Sequence, residues 1–209
     1  MASDAERRVL TPEEGLQAIH ATLQDSRSSM YVAGTATILL LWGVIASLGY
    51  LAEYAFDTAA AEFADGRPWL SAPLWGVLVV TGTVGSALIG HRAGKQLAAG
   101  EAVHGAGVRV FAFWLSVALA AFVVPAAVGL WTEERADAVP LVAIGIVALG
   151  HILFGIMYRP VIAAVGVGLA AAFYLPSSLA GDAALAVSAA ATLLVVALAW
   201  TWIRRSGVL

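Results

Sequence analysis

How the basic residues divide among six apolar stretches constrains this chain more than any other feature. The stretches are Tyr31–Leu51, Trp69–Gly90, Val110–Trp131, Val139–Tyr158, Val161–Leu175 and Ala183–Trp202. If each crosses a bilayer as a helix, successive connecting segments fall on alternating sides. Arg7, Arg8, Arg27, Arg92, Lys95, Arg109, Arg159, Arg204 and Arg205 then share one side, and only Arg67 and Arg135 fall on the other. Lys and Arg collect on the cytoplasmic side of short-looped helical membrane proteins. One missed or invented span would invert every later loop and destroy this asymmetry. The sequence thus predicts an all-α fold, a polytopic bundle of six transmembrane helices, with N- and C-termini cytoplasmic.

Composition agrees. Hydrophobic residues make up 61% and charged residues 12% of the chain, against about 25% charged in ordinary soluble domains. Mean hydropathy is +0.87. With no cysteine, thiolate metal sites, thiol nucleophiles and disulfides are excluded. Glu53, Asp57, Glu62, Asp65, Glu133, Glu134, Asp137 and Asp182 all fall on the side opposite the basic cluster, which suits topology and attraction to anionic lipid. Basic residues are too few, and no motif is present, for nucleic-acid binding.

The chain reads as two regions. Residues 1–29 form a cytoplasmic amphipathic helix and residues 30–209 a six-helix transmembrane domain. Thr11-Pro12-Glu13-Glu14 has the form of a capping box with proline at the first helical position. Leu16, Ile19, His20 and Leu23 then recur on one face, as in a helix lying at the membrane surface. The first thirty residues lack the apolar run and cleavage site of a signal peptide, so the first span is expected to direct insertion. A short interfacial helix is expected near Thr58–Ala61, ended by Gly66 and Pro68, with Trp69 and Trp75 marking the interface. His91–Arg109 reads as a glycine-rich basic connector without the spacing of a phosphate-binding loop. Pro125 is expected to kink the third span, and Tyr158-Arg159-Pro160 to form a tight hairpin. Val161–Leu175, at about 22 Å as a helix, reads as a short fifth span.

Two rows of small residues predict close helix packing: Gly82, Ser86 and Gly90 in the second span, and Ala164, Gly168 and Ala172 in the fifth. Such rows let helix backbones approach in lipid. An echo of Ile45, Leu48, Gly49 and Leu51 in Ile146, Leu149, Gly150 and Ile152 involves only common aliphatic and small residues, and chance explains it better than an inverted repeat.

His151 is the one ionisable residue deep within a span, and an intramembrane ionisable group is a functional candidate by default. Thr37, Thr83, Ser86 and Ser116 lie at comparable depth and complete a candidate polar site. The plainest expectation is a neutral imidazole hydrogen-bonded to one of these hydroxyls. A haem would have only His91 as a second axial ligand, since His104 and His20 lie outside the spans. No carboxylate accompanies His151 for metal-assisted hydrolysis, and no nucleophile element serves it. No catalytic residue, metal or cofactor is therefore expected.

Leu40–Tyr50 (LLWGVIASLGY) and Ile152–Gly166 (ILFGIMYRPVIAAVG) resemble a widespread family of small bacterial polytopic membrane proteins of unknown function. The family pattern is an amphipathic N-terminal helix, a Leu-Trp-Gly in the first span and a late Arg-Pro hairpin, matched here by Trp42, Gly43, Arg159 and Pro160. The resemblance implies a bacterial inner membrane and an architecture, without an activity. The expected function is non-enzymatic: association in the bilayer with a membrane-protein partner or with itself, as an accessory or scaffolding subunit. The alternatives are a small permease or channel built around His151, and a haem or quinone redox protein.

Overall fold

The computed structural model describes the backbone of residues 12–64, 67, 70–96, 101–132, 134–135 and 138–206, and side chains outside 12–33, 94–107 and 206. Seven helices follow one another: α1 (Pro12–Asp57), α2 (Ala61–Ala64), α3 (Ser71–Gln96), α4 (Glu101–Ala127), α5 (Ala138–Met157), α6 (Pro160–Leu179) and α7 (Ala184–Ser206). All but α2 are long and apolar enough to cross a membrane, and there is no strand among the described residues. The sequence's six spans are therefore present, each shifted at its ends by a few residues.

The surface helix and the first span are one continuous element, because α1 runs unbroken from Pro12 to Asp57. The capping residue Thr11, the turn residues Gly66 and Pro68, and Trp69 lie outside the described residues. So do the side chains of the amphipathic face.

Two other expectations are corrected. The connector His91–Arg109 is mostly helical, since α3 continues to Gln96 and α4 begins at Glu101. Helical hydrogen bonds continue beyond the apolar run, and the Ala, Val, Glu and Gln residues between the glycines favour or tolerate a helix.

Pro125 lies in the last turn of α4, near Ala127. The helix then closes with a paired cap. Leu130 N donates to Pro125 O at 2.9 Å and Gly129 N to Ala126 O at 3.0 Å. Gly129 takes φ +72°, the left-handed position where glycine avoids the Cβ penalty.

The fifth span is of full length. Its helix, α6, has 20 residues, about 30 Å, and passes through Pro176. Proline removes the donor that Ala172 O would otherwise receive; beyond it Ser177 Oγ donates to Phe173 O at 2.7 Å and Ser178 Oγ to Tyr174 O at 2.9 Å. Both serine side chains are thus folded back onto the helix. The turn before it matches the sequence: Arg159 is extended and Pro160 occupies the first helical turn.

Neighbouring helices are antiparallel, and side by side they run α3–α1–α7–α6–α5–α4. The centre belongs to α1, α6 and α7, where Ala36, Leu39, Val165, Val196, Ala199 and Ile203 form one buried cluster. A second cluster, Tyr50, Phe173 and Ala189, lies nearer the acidic end and gathers Trp75 and Ile144. There Glu53 fastens α3 to α1, accepting hydrogen bonds from Ser71 Oγ and Trp75 Nε1, both at 2.9 Å. Glu53, one of the acids expected opposite the basic cluster, is half-buried and doubly bonded.

Candidate functional site

His151 projects from α5 towards α4 and is buried. Gly150 beside it makes the approach possible: a Cβ there would lie 2.9 Å from both methyls of Val117. The imidazole lies 4.5 Å, centroid to centroid, from the Trp114 ring. Trp114 also contacts Phe154 and Phe113, and Phe154 stacks on Tyr158. The histidine thus sits at the edge of an aromatic cluster joining α4 to α5.

Its hydrogen bond corrects the expected one. Nδ1 lies 2.9 Å from Val147 O, one turn earlier on the same helix. A carbonyl can only accept, so Nδ1 carries the proton and the ring is held as one tautomer. The four hydroxyls named with it do not gather around it. Thr83 Oγ1 donates to Val79 O and Ser116 Oγ to Ala112 O, each at 2.8 Å. Ser86 Oγ accepts from Trp42 Nε1 at 3.0 Å, and Thr37 stands exposed on α1. A hydroxyl bonding back onto its own helix needs no partner across the bundle, which explains the dispersal.

Other buried polar groups lie on the far side of the bundle, between α1 and α7. Ser47 Oγ donates to Ala189 O at 2.9 Å. Ser188 and Thr192 are buried nearby on α7, and Ser188 Oγ has no hydrogen-bond partner. The sequence reading missed this group because single Ser and Thr residues among alanines carry no pattern. No cluster of three or more His, Asp or Glu that could hold a metal occurs among the described residues.

The packing rows are half realised. A Cβ on Gly82 would lie 2.8 Å from Trp42 Cη2, and with Ser86 bonded to the same indole, this part of α3 does meet α1 closely. Gly90 is different, since nothing lies within 4 Å of its added Cβ. On α6, Gly168 faces Val195 at 2.8 Å and Ala172 is buried, but Ala164 is exposed. A row spaced by four drifts around a helix of 3.6 residues per turn, so a straight neighbour covers only part of it.

The closest approach lies elsewhere, between α5 and α6. A Cβ on Gly155 would meet the backbone of Ala163, 2.6 Å from its Cα. One on Gly166 would lie 2.7 Å from Ala148 O and 2.8 Å from Ile152 N. At the other end of the pair Gly145 leaves room for the Tyr174 hydroxyl, which donates to Leu141 O. Each of these glycines answers a residue on the other helix, so spacing along one helix could not reveal them.

Trp42, Gly43, Arg159 and Pro160 have structural places. Gly43 admits Val196, whose side chain would lie 2.7 Å from an added Cβ, and Trp42 holds Ser86. Comparison of the chain with protein-family models, with curated proteins and with solved structures finds no match in any of the three.

Since the Val147 carbonyl already accepts a backbone N–H within the helix, removing the imidazole strands no partner. Losing a donor whose acceptor stays satisfied costs only the net worth of one hydrogen bond, about 1 kcal/mol. His151→Phe, which retains an aromatic face for Trp114, should therefore unfold within about 1 kcal/mol of the parent. A larger loss in a thermal unfolding series in detergent would mean that Nε2 has an essential partner.

Proposed function

We propose that this protein acts by association within the bilayer, as a non-enzymatic accessory or scaffolding component or a homo-oligomer. The observation carrying this reading is the packing order, which leaves α3 and α4, consecutive in the chain, at its two open ends. Both helices expose apolar side chains along their length. The polar groups favour the same reading, because Thr83 and Ser116, around the depth of His151, bond to their own helices and Ser86 bonds to Trp42 instead of to the imidazole. Transport through a path at His151 would call for such convergence. The size of the native particle tests the proposal. Light scattering on protein extracted in a mild detergent should give a protein mass that is a multiple of 21.5 kDa or includes a stoichiometric partner. A monodisperse monomer both there and in lipid nanodiscs would sink it.

The division of the basic residues supports placement in a bacterial inner membrane with both termini cytoplasmic. Arg92, Arg159, Arg204 and Arg205 are exposed at one end of the bundle, and Glu62 and Asp182 at the other. A phosphatase reporter fused after Leu209 should be inactive and a fluorescent one bright. The reverse result would refute this orientation.

A further inference from the structure

Hydroxyls in the spans mostly fold back onto their own helix. Thr81, Thr83, Ser116, Ser177 and Ser178 each donate to the carbonyl four residues earlier, the ordinary local bond of a helical Ser or Thr. Ser188 on α7 does not. Its side chain is fully buried, and its Oγ has no hydrogen-bond partner. A hydroxyl sealed from solvent and left unpaired lowers stability. A bilayer offers nothing outside the protein to relieve it.

An acceptor without its helical donor lies opposite, on α6. The carbonyl of Ala172 would receive the N–H of residue 176 in a regular helix, and Pro176 has none. Neither hydroxyl beyond the proline replaces it, since Ser177 bonds Phe173 O and Ser178 bonds Tyr174 O. Ala172 and Pro176 are both buried and continue the row that Gly168 begins.

The depth of the two groups follows from contacts between the helices. Gly168 lies against Val195 of α7. Ser188 precedes Val195 by seven residues, two turns, and so shares its face. Along antiparallel neighbours, seven residues back from Val195 is level with seven on from Gly168, at Leu175, next to Pro176. The packing of Phe173 with Ala189 in one buried cluster gives the same register. Ser188 therefore stands opposite Pro176 to within about one residue's rise of 1.5 Å. The Ala172 carbonyl points along the helix towards Pro176 and reaches the same level.

Donor and acceptor are complementary, yet Ser188 does not bond the carbonyl directly. A proline ring displaces the carbonyl four residues back, and an ordered water is one way in which membrane helices complete a ladder broken there. We propose that one water molecule is bound between α6 and α7. It accepts a hydrogen bond from Ser188 Oγ and donates one to Ala172 O, two of the two to four partners that a buried water takes. The last helix thus completes the hydrogen bonding that the proline interrupts in the helix before it.

A double-mutant cycle of Ser188→Ala against Pro176→Ala tests this, read as unfolding of the full chain in detergent. Ser188→Ala should raise the unfolding equilibrium constant about fivefold, the net worth of one hydrogen bond, because the carbonyl loses its bridge. In the Pro176→Ala background the carbonyl regains an N–H, and the same change should shift the constant by less than about twofold. Ser47→Ala, whose bond to Ala189 O lies outside the site, should cost the same in both backgrounds. In bilayers, magnetisation should pass from a bound water to the amide of residue 188 in the parent and not in Ser188→Ala. If Pro176→Ala does not fold, this comparison alone decides. Stabilisation of the parent by Ser188→Ala would show a dry, unpaired hydroxyl and overturn the proposal. So would an equal cost in both backgrounds, which would give Ser188 a partner other than this carbonyl, or the absence of a water signal at residue 188.

Discussion

Gly155→Ala is expected to lower stability more than any other single-methyl addition to the chain. The new Cβ would press on the backbone of Ala163, with the Ala163 Cα 2.6 Å away. Backbone cannot rotate aside as a side-chain end does, so α5 and α6 must separate. Overpacking of a core typically costs about 1–3 kcal/mol, and here the displacement extends to Gly166 and its contacts with Ala148 and Ile152. A loss of about 3 kcal/mol or more is expected, seen as poor accumulation in membranes and a sharply lowered unfolding midpoint in detergent. A variant with the parent's midpoint would show that the hairpin is not packed as described.

Gly82→Leu is the second large effect. Its side chain must displace the Trp42 indole, whose Cη2 lies 2.8 Å from the added Cβ, and Ile45 behind it. The indole would also lose its 3.0 Å bond to Ser86. A cost of about 2–3 kcal/mol follows from overpacking, somewhat less than for Gly155 because a side chain can yield. Gly90→Leu, on the same helix, should leave the unfolding midpoint unchanged, since its Cβ points into open space. Equal destabilisation by the two substitutions would refute this separation of faces.

The contrast between Gly82 and Gly90 shows what could be read before the structure. The six spans were legible because charge is expelled from a bilayer and leaves sharp boundaries. The Arg159–Pro160 hairpin was legible because proline at a helix start has a local cause. Packing was less so. A row of small residues shows where a neighbour can come close, but the neighbour's curvature and position decide where it does, as Gly90 and Ala164 attest. The length of α6 was hidden for a related reason. Pro176, Ser177 and Ser178 are stop signals in isolation, yet the helix continues through them to Leu179, with both hydroxyls bonded back to its own carbonyls. The depth of His151 was evident, but its acceptor was sought on other helices and found one turn away on its own.

The pairing of α1 with α7 bears on how the protein is made. Ser47 donates to Ala189 across 142 positions of sequence, and an added Cβ at Gly43 would meet Val196 of α7. In the chain, α3, α4, α5 and α6 all lie between α1 and α7, so during synthesis Gly43 and Ser47 stay without their partners until those four spans have been threaded and α7 arrives.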